Sequence, residues 1–222
     1  RNDGHRYILE LYHRGVRNFV VTEVPANYAS DYPQANFLKV VDSLESLQRL
    51  AERHRDEFNI PIVGITGSNG KTMVKEWLNQ LLSDDLFVTR SPRSYNSQVG
   101  VPLSVWLLNE HSQVGVFEAG ISQPGEMLAL RDIIQPTIAV LTNLGDAHQE
   151  NFVSREAKCK EKLVLFHDAK IVVYNGDDSL ISDCVNALED FRGERLYWSC
   201  SDHNAPFFVK SIEKKATATT IT

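Results

Sequence analysis

The chain has 222 residues, 42% hydrophobic and 23% charged, an ordinary balance for a globular protein holding one large domain, or one domain and part of another. Its formal net charge of −6 argues against nucleic-acid or membrane-surface partners, which favour basic patches, and no apolar run approaches a bilayer span. Cys159, Cys184 and Cys200 have neither metal-site spacing nor even pairing, as expected of reduced thiols in a cytoplasm, and the first residues do not read as a signal peptide.

The opening Arg1-Asn2-Asp3-Gly4 has no initiator Met, so an excised fragment is expected. Residues 5–16 carry Ile8, Leu9, Tyr12 and Val16 at a helical period that stops near Gly15. Phe19-Val20-Val21 and Phe37 to Val41 read as short strands, with a loop between them made by Pro25, Asn27, Asp31 and Pro33. Asp42-Ser43 opens a helix with Leu44, Leu47 and Leu50 on one face, running to about Phe58. This first segment is too small to close a core alone and reads as the tail of a preceding domain, residues 1–58.

From residue 59 strands and helices alternate, which predicts an α/β fold with a mainly parallel sheet covered on both sides. Strands are expected at Ile62–Ile65, Val114–Phe117, Thr137–Thr142 and Lys170–Tyr174. Helices are expected at Val74–Leu82, from about Pro124 to Ile134, and over 154–167. Phe207-Phe208-Val209 and the Thr-rich stretch 217–222 predict a hairpin around Glu213-Lys214-Lys215.

Between the first of these strands and its helix lies Thr66-Gly67-Ser68-Asn69-Gly70-Lys71-Thr72. A strand, a Gly-rich turn and Lys-Thr opening a helix are the layout that cradles phosphates, through backbone N–H groups and the positive helix end. Lys71 supplies a mobile charge for the outer phosphates and the Thr72 hydroxyl suits Mg²⁺. The standard loop has a Gly six residues before its Lys, where this chain has Ile65, so the loop is a shortened variant. The bland alternative, a chance Gly-rich turn, is disfavoured by the strand before and the helix after.

Glu118 follows the strand ending at Phe117, at the carboxyl edge where ligands of open α/β sheets bind, and a carboxylate there suits Mg²⁺. The small Ala119 and Gly120 beside it let another group come close, against the alternative of a solvated loop glutamate. The next strand in sequence ends in Thr142-Asn143-Leu144-Gly145-Asp146-Ala147-His148; a lone His is more often structural, but two adjacent strands bringing Glu118 and His148 to one edge is a stronger signal. Arg155, Lys158, Lys160 and Lys162 read most simply as a solvated basic helix face.

Together these motifs resemble the Mur ligases, ATP-dependent enzymes of peptidoglycan synthesis whose phosphate loop is shortened in the same way. Phe117 to Met127 and His148-Gln149-Glu150-Asn151-Phe152 are similar to the member that adds D-alanyl-D-alanine to UDP-N-acetylmuramoyl-tripeptide. Members that add a single amino acid usually have Asp-His-Leu-Asp where this chain has Ala147-His148-Gln149-Glu150. Tyr95-Asn96-Ser97-Gln98-Val99-Gly100-Val101-Pro102 is similar to a family stretch near the substrate and triphosphate. The resemblance covers residues 59 to about 200 strongly. Residues 1–58 are then the trailing part of a UDP-substrate-binding domain, and 59–222 a central ATP-binding domain.

The resemblance implies ATP and Mg²⁺ as cofactors, with Gly67, Ser68, Asn69, Gly70, Lys71, Thr72, Asn96 and Asn143 around the nucleotide. It implies Thr72, Glu118 and His148 as metal ligands, together with a carbamylated lysine whose added carboxylate binds the second ion. The motif for that lysine, Leu or Ile three residues on and then an aromatic, fits Lys162 with Leu165 and Phe166; Lys160, followed four residues on by Val164, fits less well. Lys71, Glu118, His148 and Lys162 would be the catalytic set of a monomeric, cytoplasmic ligase, and the fragment would fold but show little activity by itself. The rivals are another Mur-type ligase, such as a single-residue-adding, folylpolyglutamate synthetase-like or cyanophycin-type enzyme, and, from a different class, a regulatory nucleotide-binding module or a kinase-like phosphotransferase.

Overall fold

Seven parallel strands form the main sheet of the computed structural model, which describes residues 3–222. The chain divides into two compact units, Arg1–Arg49 and Leu50–Thr222, a division that falls inside a helix. In the first unit a 3-10 turn leads into α1 (Ile8–His13), followed by β1 (Asn18–Val21), α2 (Tyr28–Asp31) and β2 (Asn36–Lys39). β1 and β2 pair in parallel, and Ile8, Phe19 and Val21 are buried in a small core where Phe19 stacks on Phe37 at 5.3 Å. The loop expected at 25–33 thus contains one short helix. Helix α3 (Ser43–Arg55) starts where the sequence indicates, because the Asp42 carboxylate accepts the Leu44 and Glu45 N–H groups at 2.7 and 2.9 Å.

The second unit continues with β3 (Ile62–Thr66), α4 (Lys71–Leu82), β4 (Val88–Arg90), α5 (Gly100–Val105), β5 (Val114–Glu118) and α6 (Glu126–Ile134). There follow β6 (Ile138–Leu141), α7 (Arg155–Leu163), β7 (Ile171–Asn175), α8 (Ser179–Asn186), β8 (Glu194–Ser199) and β9 (Phe207–Phe208). The sheet order is β4-β5-β3-β6-β7-β8-β9. β3 and β5 are buried along their whole length, which explains their unbroken apolar sequences. On one face Ile62 and Phe117 pack with residues of α5, α6, α7 and α8; on the other Val63, Ile65 and Val116 meet Val74 and Leu78 of α4.

Two expectations change. β5 and β6 are not adjacent: β3 runs between them, so Glu118 and the 142–148 segment flank the phosphate loop from opposite sides. Phe207-Phe208 does not belong to the C-terminal hairpin but pairs with Trp198 and Ser199 at the open edge of the main sheet. The hairpin is the shorter β10 (Ile212–Lys214) with β11 (Thr219–Ile221), closed by Lys215 N–H donating to Ala218 O at 2.8 Å. All three cysteines are free, and burial pushes the Cys159 thiol up, away from reactivity. Among the described residues no helix is long and apolar enough to cross a membrane.

Candidate active site

The phosphate loop leaves β3 at Thr66 and enters α4 at Lys71, three residues earlier than apolar periodicity alone predicts. Gly67 and Gly70 have φ of 141° and 81°, where a side chain is strained, and a Cβ at Gly67 would collide with Thr142 Oγ1. Gly70 is the left-handed residue from which α4 starts, and the first-turn N–H groups of that helix have no intrahelical acceptor. That is the cradle an anion requires.

The end of β6 braces the loop. Thr142 Oγ1 donates to Asn69 O at 2.6 Å, and Asn143 Nδ2 donates to the same carbonyl at 3.2 Å. In return Asn143 Oδ1 accepts from Asn69 N–H at 3.1 Å, Asn143 O accepts from Ser68 N–H at 3.0 Å, and Ser68 Oγ donates to Gly145 O at 3.1 Å. Asn143, which the resemblance places around the nucleotide, also holds the loop in shape.

On the β5 side the Glu118 carboxylate is fully buried. Its Oε2 accepts from Thr72 Oγ1 at 3.0 Å and from Asn96 Nδ2 at 3.4 Å, so three predicted site residues meet at one oxygen. The group that approaches the small Gly120 is Asn96, whose backbone carbonyl accepts Gly120 N–H at 2.8 Å. Lys75 Nζ lies 3.0 Å from Oε1, an ion pair at an angle that does not make a hydrogen bond. Sequence reasoning missed Lys75, although its place one helical turn after Lys71 is a usable signal.

On the β6 side the charges are positive. Lys71 Nζ donates to Gly67 O at 2.7 Å, and Lys162 Nζ to the same oxygen at 3.4 Å. Burial holds the Lys71 amine below its ordinary value, with Glu118 opposing. Burial, with Lys71 and Lys158 nearby, lowers the Lys162 amine to about 8. Lys158, also buried, donates to Gly145 O at 2.5 Å, while Arg155 donates to Leu144 O at 2.9 Å. The helix read as a solvated basic face is therefore split: Lys158 and Lys162 turn inward, one turn apart, and the exposed Lys160 pairs with Glu156 at 2.5 Å. Lys158 was not singled out by the sequence because lysine is so seldom fully buried.

Lys71, Lys162, Gly67, Ser68, Asn96 and an exposed His148 line a cleft of about 330 Å³, within the range of small-molecule sites. Glu118 is sealed behind Thr72 and Asn96 while His148 stands at the cleft wall with φ of 58°. Asn151 Nδ2 donates to Ser122 O at 2.9 Å, tying the 148–152 motif to the 117–127 motif. Among the described residues no three His, Cys, Asp or Glu side chains gather as a metal site. The donors present still suit a phosphate-bound divalent ion. Thr72 and Glu118 set two oxygens side by side behind the phosphate cradle, the Thr72 hydroxyl 3.0 Å from Glu118 Oε2.

The Mur ligase middle domain profile matches residues 65–222. The UDP-N-acetylmuramoyl-tripeptide–D-alanyl-D-alanine ligase of Bacillus subtilis is 29% identical over 96% of this chain and 48% of the relative. The ligase of the same name from Treponema pallidum is 35% identical over 74% of this chain and 37% of the relative. A crystal structure of the MurF ligase of Thermotoga maritima in complex with ADP superposes with a TM-score of 0.84 and 28% identity, over 99% of this chain and 49% of that one. MurF from Acinetobacter baumannii reaches a TM-score of 0.88 over 100% of this chain and 47% of that one, at 22% identity, a likeness of fold. The chain spans about half the length of the curated relatives it matches.

Proposed function

Since the chain belongs to the Mur ligase family, whose middle domain it matches, we propose that it is the nucleotide-binding core of an ATP-dependent ligase that adds D-alanyl-D-alanine to UDP-N-acetylmuramoyl-tripeptide. The observation that carries the reading is the loop 66–72 with its free helix end, set between Glu118 on one side and the Lys71–Lys162 pair on the other. The choice of substrates rests on the relatives from Bacillus subtilis and Treponema pallidum, which carry that activity in their names.

In the proposed reaction the tripeptide carboxylate attacks the γ-phosphorus of ATP, giving an acyl phosphate and ADP. The amine of D-alanyl-D-alanine then displaces phosphate and forms the amide. Backbone N–H groups at the start of α4 hold the phosphates, and Lys71 leaves Gly67 O to neutralise them. Thr72 and Glu118 would hold one Mg²⁺, and Glu118 and His148 a second, and the ions would neutralise charge on the phosphoryl oxygens.

Lys162 completes the set as its carbamate. An ordinary lysine at pH 7.5 is neutral to about one part in a thousand, whereas a value of about 8 leaves roughly a quarter of Lys162 as the free amine that CO₂ requires. The ammonium first gives up one proton; addition of CO₂ to the free amine then forms the carbamate and releases a second, so that a buried positive charge is exchanged for a negative one, suited to a second ion. Residues 1–58 are taken as the trailing part of the UDP-substrate-binding domain and 59–222 as the central ATP-binding domain, with the protein a cytoplasmic monomer.

The test uses the intact ligase that contains this chain. Phosphate release should require UDP-N-acetylmuramoyl-tripeptide and D-alanyl-D-alanine together. Release with a folate and glutamate instead would move the protein to a sibling activity, and release without any amine acceptor would make it a phosphotransferase or hydrolase.

A further inference from the structure

Lys75 is fully buried in the second turn of α4, where its charge has no water to turn to. Its ammonium meets Glu118 Oε1 at 3.0 Å, Glu76 Oε1 at 3.2 Å and the carbonyl oxygen of Arg93. Glu76 is shared, since its other oxygen pairs with Arg90 at 3.2 Å. Arg93 has φ of 49°, uncommon for a residue with a side chain, so its carbonyl is turned to the lysine at some cost. Three residues later Asn96 returns to Glu118 Oε2, so the contacts Arg93–Lys75–Glu118–Asn96 close a circuit through the 93–96 backbone.

In this circuit the two oxygens of one carboxylate have different duties. Oε1 is drawn inward by Lys75, while Oε2 is left beside the Thr72 hydroxyl. We infer that Lys75 is a positioning residue for the metal site: it pins Glu118 so that one oxygen is offered beside Thr72, and it latches the 93–96 segment to the same carboxylate. The inference rests on the reading of loop 66–72 as a Mg²⁺–nucleotide site. Lys75 acts through Glu118, the group it pairs with.

The full 222-residue chain carrying Lys75→Met or Lys75→Gln is titrated by calorimetry with a non-hydrolysable ATP analogue, first in EDTA and then at rising Mg²⁺. Without metal the variants should bind like the parent, because Lys71 and the loop are untouched. The Mg²⁺ concentration for half-maximal tightening should rise about ten- to a hundredfold, as when a partner that orients a metal ligand is removed. In a Glu118→Gln background the same substitutions should add less than about twofold, because the path through Glu118 is already broken. An unchanged Mg²⁺ requirement, or effects that add in full, would overturn the inference. So would loss of metal-free binding and of a cooperative unfolding transition in both variants, which would make Lys75 a folding residue only. If the parent itself fails to bind the analogue at any Mg²⁺ concentration, the nucleotide reading falls first and the inference with it.

Discussion

The two flanks of β3 solve the same problem in opposite ways. On the β5 side one buried carboxylate, Glu118, faces one buried ammonium, Lys75, and the pair fixes a geometry. On the β6 side Lys71, Lys158 and Lys162 donate to uncharged oxygens of Gly67, Ser68, Gly145 and Gln149. A charge matched by its counter-charge holds its place without a ligand. Ammonium groups that donate to uncharged oxygens keep their attraction for an anion, and burial lowers their affinity for protons, helped at Lys162 by the nearby Lys71 and Lys158. On the proposed function, one flank presents a metal ligand and the other receives phosphate.

The sharpest way to break this comparison is to remove Glu118. Glu118→Ala leaves Lys75 buried without its main counter-charge and should destabilise the chain by about 3–5 kcal/mol, read by urea unfolding. A loss under about 1 kcal/mol would mean that Glu76 alone satisfies Lys75.

On the other flank the sign reverses. The Lys162 amine sits at about 8 in the folded chain against 10.5 for an ordinary lysine, so the unfolded chain takes up this proton first as pH falls. The penalty on stability is absent above about 10.5, grows between 10.5 and 8, and is complete below 8 at ~3 kcal/mol. Lys162→Met keeps most of the stem and removes the charge. In CO₂-free buffer it should be more stable than the parent at pH 7 by up to that amount, with the gain vanishing by pH 10.5. Thermal unfolding across this range checks it, and a pH-independent difference would refute the charge argument.

A smaller effect is expected at the brace. Asn143→Ala removes one donor and one acceptor facing Asn69, a loss of about 1–2 kcal/mol, with weaker nucleotide binding because the cradle loosens. Least of all should come from Lys160→Ala, whose exposed pair with Glu156 lies on the outer side of α7. Its melting temperature and nucleotide affinity should match the parent's within error. If Lys160 affected binding as Lys162 does, the inward and outward assignment of that helix would be wrong.

How far the sequence carries differs between the same two flanks. The buried strands and the glycine loop were legible, because two-faced burial writes continuous apolar runs and left-handed turns select glycine. β4 and α5 were not: β4 has three residues, and α5 carries Gly100 and Pro102 in a first turn that tolerates them. α8 and β8 were missed as well, the one mixing Ser and Asp into its apolar period, the other opening with Glu194-Arg195. At the site, Thr72 and Glu118 were legible from their place at the strand and helix ends. Lys75 and Lys158 were hidden because a lysine inside a helix normally marks a solvated face, and only the packing shows which ones turn inward. The order β5-β3-β6 was likewise beyond reach, since sequence adjacency of strands does not fix their spatial adjacency.

The central claim is that a nucleotide's phosphates lie between these flanks, and a crystal structure of the chain with Mg²⁺ and ADP tests it most directly. The β-phosphate should lie at the N–H groups that open α4, with Lys71 released from Gly67 O and the ion on Thr72 with Glu118 Oε2 within reach. A nucleotide bound elsewhere, with Lys71 still on Gly67 O and Glu118 facing no ion, would contradict it.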